Sequence, residues 1–203
     1  MQYTHREAIY FRMIERRFSI PRNANLLEIG FGNGGLLGYM RQTGRQVSGI
    51  ETNPTLINRA IRAGVKCFDQ LADIPEDCFD IVILMDVLEH IDQAAIPEFF
   101  KELERITKQG GRVIIRSPNG HSPLGLSNQH GDVTHVTVIT IPKVDFWLRG
   151  LKLGIIYSGW DLPELSLSSP FRSIRNFAML LLCWRDSQRK LFESCFGLSR
   201  QVY

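Results

Sequence analysis

The chain has 203 residues, of which 44% are hydrophobic and 22% charged, with a net charge of +3; this is the composition of one ordinary globular domain with extensions. Its longest uninterrupted apolar run, Phe177 to Trp184, has eight residues, far below the ~20 that span a bilayer, and the N-terminus mixes arginines with Glu7 and Glu15 without the apolar core of a signal peptide. The four cysteines (Cys67, Cys78, Cys183, Cys195) show no C-x-x-C spacing, which argues against a zinc site and for a reduced, cytoplasmic location.

In chain order, Ile9, Met13 or Ile14, and Phe18 recur near helical spacing and predict an amphipathic helix over 5–18, ahead of Pro21. The apolar segment 25–29 reads as a strand running into a glycine-rich turn, with a helix from Gly34 to about Thr43 stopped by Gly44. A second strand covers 46–51; Asn53 then caps a helix with Pro54 at its first position, and Gly64 ends it. Strands are expected at 65–68 and 80–85, a helix at 94–108, and a strand at 112–116 after the Gly110-Gly111 turn. The polar stretch 117–139, with three histidines, has the length of a lid or a substrate-binding loop. Thr140 caps a helix over 141–150, and a sixth strand lies near 155–158, with no seventh evident. Instead Phe171, Ile174, Phe177, Leu181, Trp184, Leu191, Cys195 and Leu198 recur at helical spacing among arginines, which predicts a basic amphipathic C-terminal helix.

Strands alternating with 10–15-residue helices, several of them near-continuous Val, Ile and Leu, indicate an α/β fold with a doubly wound, mostly parallel sheet. In such sheets ligands bind at the carboxyl ends of the strands. That is where the chemistry-bearing residues fall. Leu26-Leu27-Glu28-Ile29-Gly30-Phe31-Gly32-Asn33-Gly34-Gly35 satisfies two patterns. Gly30, Gly32 and Gly35 fit G-x-G-x-x-G, the dinucleotide fingerprint, whereas Glu28, Gly30, Gly32 and Gly34 fit E-x-G-x-G-x-G. Glu51 lies 21 residues after Gly30, where a second strand ends and a carboxylate can take both hydrogens of a ribose diol. A carboxylate at Glu28 suits a sulfonium cofactor with a free amino group and repels a pyrophosphate.

Three further segments share one resemblance. Phe79-Asp80-Ile81-Val82-Ile83-Leu84-Met85-Asp86-Val87-Leu88-Glu89-His90-Ile91 resembles the fourth-strand segment of class I S-adenosylmethionine (SAM) methyltransferases. Gln109-Gly110-Gly111 through Ser117-Pro118-Asn119 is similar to their fifth-strand turn and strand, and Asp132-Val133-Thr134-His135 followed by Thr140 to their approach to the next helix. With E-x-G-x-G-x-G these motifs cover about residues 23–160 in family order, and the chain resembles the small-molecule branch called type 11 or 12. The resemblance implies a Rossmann-like methyltransferase domain over 23–160, between helical extensions 1–22 and 161–203. It implies SAM as cofactor, with Gly30, Gly32 and Gly34 around its methionine and ribose portion, Glu28 near its amino group, Glu51 on the ribose, Asp69 on the adenine amino group, and Asp86 bordering the transferred methyl.

For catalysis, His135 is the expected general base, since a hydroxyl acceptor must lose a proton as it attacks the methyl, with Asp132 orienting it. Asp86, Glu89 and His90, spaced i, i+3 and i+4, together with His135 are similar to the divalent-metal set of small-RNA 2′-O-methyltransferases and some ubiquinone-biosynthesis O-methyltransferases, where Mg²⁺ or Mn²⁺ would hold an acceptor diol or hydroxyl. The preferred alternative is that Glu89 and His90 form a hydrogen-bonded helix start with no metal. Residues 1–22 carry a net +3, residues 23–170 a net −4 and residues 171–203 a net +4, so both ends are basic around an acidic core. No basic stripe with interleaved aromatics crosses the core, which argues against a nucleic-acid partner.

The expected function is methyl transfer to an oxygen of a small acceptor, with a glycan, sugar nucleotide or lipid-linked saccharide as the preferred class. The C-terminal helix is open to core packing, homodimer contact or peripheral contact with the inner face of a membrane. Two rivals stay open: an NAD-type oxidoreductase or epimerase on the G-x-G-x-x-G turn, which lacks a Tyr-x-x-x-Lys pair, and a non-catalytic SAM-binding regulatory module.

Overall fold

The computed structural model describes residues 1–122, 126–160 and 193–200. Thr4 opens helix α1 (His5–Arg17) with a capping box. Its hydroxyl accepts from the Glu7 backbone N–H at 3.2 Å, and the Glu7 carboxylate accepts from the Thr4 N–H at 2.7 Å, which satisfies N–H groups that a helix start leaves without partners. Strand β1 (Asn25–Ile29) leads through the glycine turn to α2 (Gly35–Gln42), and β2 (Gln46–Ile50) leads to α3 (Pro54–Arg62). The Asn53 side chain caps α3 by accepting from Thr55 N–H at 3.0 Å. Then follow β3 (Lys66–Phe68), β4 (Phe79–Met85), α4 (Ile96–Ile106), β5 (Thr107–Pro118), a short α5 (Leu126–Gly131) inside the expected loop, α6 (Ile141–Trp147), β6 (Leu153–Trp160) and β7 (Glu193–Arg200).

The strands form one sheet in the order β3-β2-β1-β4-β5-β7-β6. The first five are parallel, and β7 runs antiparallel to both β5 and β6. The sheet is buried on both faces, which is why its central strands are almost wholly apolar. On one face Leu27, Val82, Leu84, Val113 and Ile115 pack against Phe100 and Leu103 of α4 and Val144 and Trp147 of α6. On the other, Leu26, Ile81, Ile83 and Ile114 pack against Phe11 and Ile14 of α1 and Leu36, Leu37 and Met40 of α2.

Two expectations are corrected. Residues 193–200, including Cys195 and Leu198, form a strand and not the end of a helix, so the seventh strand is present. It fills the gap between β5 and β6, so the sheet draws on residues beyond 160, and the expected division between a 23–160 domain and a separate 161–203 helical extension cuts through one sheet. Residues 161–192, which carry the rest of the expected helix and its dimer or membrane contact, lie outside the described residues. Among the described residues no helix is long and apolar enough to cross a membrane.

Helix α1 is fastened to this body by a buried cation. The Arg45 side chain, fully buried before β2, donates to Glu15 at 2.7 Å, to the Ile20 carbonyl at 2.7 Å and to the Pro21 carbonyl at 2.9 Å. Partial burial works against the charge of Glu15, but bonds from Arg45 and Tyr39 outweigh it and hold its carboxyl below the usual carboxylate range. Removing one partner of such a pair strands the other charge. Glu15→Ala is therefore expected to cost about 3 kcal/mol in urea unfolding, whereas Glu98→Ala, which breaks an exposed pair with Lys101, should change stability by less than about 1 kcal/mol.

Candidate active site

The parallel ladder brings three strand ends level: Ile29 is paired with Ile50 on one side and with Leu84 on the other. Past that line the chain leaves β1 through Gly30, β2 through Glu51 and β4 through Met85 and Asp86, which makes the carboxyl lip of the sheet the only place these segments meet. The register Ile50↔Phe68 sets Asp69, exposed, beside Glu51 along the same lip.

The donor side is built on the glycine turn. Gly30 has φ +69°, and a Cβ there would lie 2.6 Å from Val87 Cγ2, so only glycine fits. At Gly32 (φ +50°) a Cβ would meet nothing within 4 Å; this point of the turn faces open space. Glu51 Oε2 accepts from Gly32 N–H at 2.8 Å, and Oε1 accepts from Thr52 N–H at 2.7 Å and Asn53 N–H at 3.1 Å. Partial burial opposes the charge of Glu51, and these three backbone donors more than offset it, so its carboxyl lies below the usual range. Arg59 of α3 donates to the Asn33 carbonyl at 2.9 Å and to its side-chain oxygen at 3.0 Å, which ties down the tip of the turn.

Glu28 is buried on the α2 face of β1, and its Oε2 has no hydrogen-bond partner among the described residues. Burial pushes its carboxyl up to about 8, against the pull of the Leu37 backbone bond and with a smaller push from the charge of Glu51. A buried carboxyl oxygen without a partner, a turn open at Gly32 and an ionised Glu51 suit a ligand that carries an ammonium and a ribose diol. The arrangement fits SAM.

On the acceptor side the chain leaves β4 through a left-handed Asp86 (φ +55°) into a 3₁₀ turn over Leu88–His90. The expected loop 132–137 docks there: Val136 and Thr137 N–H groups both donate to the Glu89 carbonyl at 3.0 Å, and the Thr137 hydroxyl donates to the Ile91 carbonyl at 2.6 Å. This brings the His90 and His135 rings to 4.7 Å, edge to face. Asp132 does not orient His135 as expected. Its Oδ2 is 3.9 Å from His135 Nε2, whereas its Oδ1 accepts from the Thr134 hydroxyl at 2.6 Å and the Thr134 N–H at 2.8 Å. Those two bonds hold the Asp132 carboxyl below its ordinary value. Thr134 in turn bonds His90 Nδ1, through its hydroxyl at 3.0 Å and its carbonyl at 3.2 Å. His135 Nδ1 is buried without a partner among the described residues, while His121 and His130 are exposed.

Of the alternative metal set, three members come together and Asp86 stands apart. Asp86 is taken by Arg116, whose Nε donates to Oδ1 at 3.1 Å and whose Nη2 pairs with Oδ2. Ligand atoms of Glu89, His90 and His135 lie within 4.8 Å of one another, but two imidazoles and one carboxylate are a poor match for Mg²⁺, which takes oxygen ligands. Arg116 and Thr134 lie within the 109–119 and 132–135 segments but carry no chemical signal there, and Tyr10 lies outside every motif; the strand register and the loop docking bring them to the expected residues. A separate cavity of about 310 Å³, lined by Pro21, Asn23, Asp80, Gln109 and Arg112 among others, lies at the opposite ends of the strands and holds none of these residues.

A parallel sheet with one antiparallel strand inserted before the last, carrying a glycine turn and a strand-end carboxylate for a nucleoside donor, defines a class I SAM-dependent methyltransferase. An all-parallel dinucleotide-binding sheet has no such inserted strand, and the oxidoreductase alternative is set aside. The chain belongs to this family: a family model described as a methyltransferase domain matches residues 3–151. A ubiquinone biosynthesis O-methyltransferase from Xanthomonas oryzae is 31% identical over 165 residues, 68% of each chain. Of solved structures, a SAM-dependent methyltransferase from Archaeoglobus fulgidus superposes with a TM-score of 0.67 at 20% identity, over 95% of this chain and 93% of that one. Phosphoethanolamine N-methyltransferase 2 of Haemonchus contortus, solved with SAM, gives 0.66 at 16% identity, over 96% and 52%.

The raised Glu28 has a measurable signature. A carboxyl whose value in the fold lies above that in the unfolded chain makes the fold hold a proton more tightly, so its contribution to stability is greatest below about pH 4.5 and declines until about pH 8. Glu28→Gln is expected to be more stable than wild type at pH 8, with the difference closing near pH 4.5, as read from urea midpoints. Calorimetry at pH 7 in buffers of different ionisation enthalpy should show a proton released when SAM binds the wild type and none with Glu28→Gln.

Proposed function

We propose that the protein transfers a methyl group from SAM to a hydroxyl oxygen of a small acceptor, a phenol in preference to a sugar, with His90 as the general base. The observation that carries this is the Asp132–Thr134–His90 chain. A backbone carbonyl only accepts, so the bond from His90 Nδ1 to the Thr134 carbonyl places a proton on Nδ1. The Thr134 hydroxyl gives its own proton to Asp132 and accepts from the same Nδ1–H. His90 Nε2 is left with its lone pair, the arrangement that a carboxylate-oriented imidazole base uses.

SAM supplies an electrophilic methyl on a positively charged sulfur. Around it the chain's own residues bind, orient and remove the proton. Glu28 and Glu51 fix the ammonium and the ribose, and the Leu88–His90 turn faces the acceptor. As the acceptor oxygen bonds to the methyl carbon the S–CH₃ bond breaks, and the hydroxyl proton passes to His90 Nε2, leaving a methyl ether and S-adenosylhomocysteine. Placement in line supplies much of the rate. A phenol, with an ordinary pKa near ~10, gives up its proton to an imidazole far more readily than a sugar alcohol does.

The O-methyltransferase name of the Xanthomonas relatives supports oxygen as the acceptor atom. It lends nothing to the glycan, sugar-nucleotide or lipid-linked saccharide acceptor expected from sequence, which is not carried forward.

A panel of catechols, hydroquinones and simple sugars assayed with radiolabelled SAM tests the reading. On whichever phenol turns over, His90→Gln should lower kcat by about 100-fold or more, Thr134→Val by roughly 10-fold, and His135→Gln by less than either. Loss confined to His135→Gln would reassign the base. SAM binding without turnover of any acceptor would return the non-catalytic reading.

A further inference from the structure

We infer that Arg116 is a positioning residue for the donor: it holds the turn after β4 in its left-handed conformation and joins helix α1 to it. This rests on the SAM-site reading above, and its parts are all at the lip. Arg116 stands on the α1 face of β5, level with Met85 of β4, and its carbonyl accepts from the Asp86 N–H at 3.0 Å. Its guanidinium returns to the same residue and clasps both oxygens of Asp86. From the other edge, Nη1 donates to the Tyr10 hydroxyl of α1 at 3.0 Å, with the guanidinium carbon 5.5 Å from the centre of the Tyr10 ring.

Asp86 needs such a clasp. A non-glycine residue at φ +55° is uncommon and is held there by its surroundings. The bidentate bond, in a fork geometry that only arginine provides, fixes the side chain while the backbone bond fixes the amide. The next residue, Val87, is the one that packs on Gly30 so closely that a Cβ would collide with it. The turn that Arg116 holds is therefore one wall of the glycine loop.

The link to α1 acts on that loop from its other side. The helix and the residues before it cover the start of α2: Met1 packs on Gly34 and Gly38, and Phe11 and Glu7 lie against Gly35. Through Tyr10, Arg116 ties this cover to the wall opposite.

The test is affinity for S-adenosylhomocysteine by calorimetry, with thermal midpoints measured alongside. Arg116→Gln is expected to weaken binding at least tenfold, Arg116→Lys to restore part of it, and Tyr10→Phe to weaken it about threefold in the wild type but not in Arg116→Gln. Glycine adopts positive φ freely, so the decisive variant is Arg116→Gln combined with Asp86→Gly: it should bind within threefold of wild type. Unchanged affinity in Arg116→Gln overturns the inference. So does a double variant that stays as weak as Arg116→Gln, since Arg116 would then act by touching the donor or by general stability alone. Failure of wild type to bind the product would instead remove the SAM-site reading itself.

Discussion

The donor loop and the acceptor turn touch directly, where Val87 packs against Gly30. The contact exists because β1 and β4 are neighbours in register, Ile29 beside Leu84, so the residues that follow each strand emerge side by side. Methyl transfer needs the sulfonium carbon and the attacking oxygen in line at van der Waals separation. The Val87 side chain leaves no space for even one methyl group on Gly30, so the two loops are held at a fixed distance from each other. The remaining elements serve this junction: α2 and α1 cover the donor side, and the 132–137 loop covers the acceptor side by docking on the Glu89 carbonyl.

Charge is distributed around the junction with the same economy. Two acids of the donor side are treated in opposite ways. Glu51 receives three backbone N–H bonds and stays ionised, while Glu28 is buried with one oxygen unmatched and holds its proton more tightly. Leaving both charged and unpaired side by side would add repulsion to the desolvation cost. A cationic ligand beside them would relieve that conflict. Asp86, a third acid at the same lip, is neutralised within the protein by Arg116, which takes it out of any metal set and puts it to use in shaping the turn.

Much of this was legible in the sequence wherever the signal was local. The parallel strands announce themselves as continuous apolar runs, and the helix starts at Asn53 and Thr140 as capping residues. The meeting of the glycine turn with the strand-end acid could be foreseen because the two and their spacing lie within some 25 residues of one another. Strand β7 could not. Its Cys195 and Leu198 also fall on the helical spacing of the preceding segment, and short apolar runs do not separate the two periods. Its place between β5 and β6 is dictated by partners over 30 and 70 residues away.

The acceptor side shows the same limit in its chemistry. Asp132 and His135 lie three residues apart, a spacing that suggests one orients the other, yet Thr134 between them intercepts the carboxylate. Thr134 has a short hydroxyl that reaches Asp132 within its own turn, a local bond of the kind threonine favours. It turns its carbonyl and hydroxyl toward His90, 44 residues earlier. The aspartate's influence thus passes through a neutral residue to the other histidine. His135, deprived of that partner, is left as the edge-on neighbour of the oriented ring.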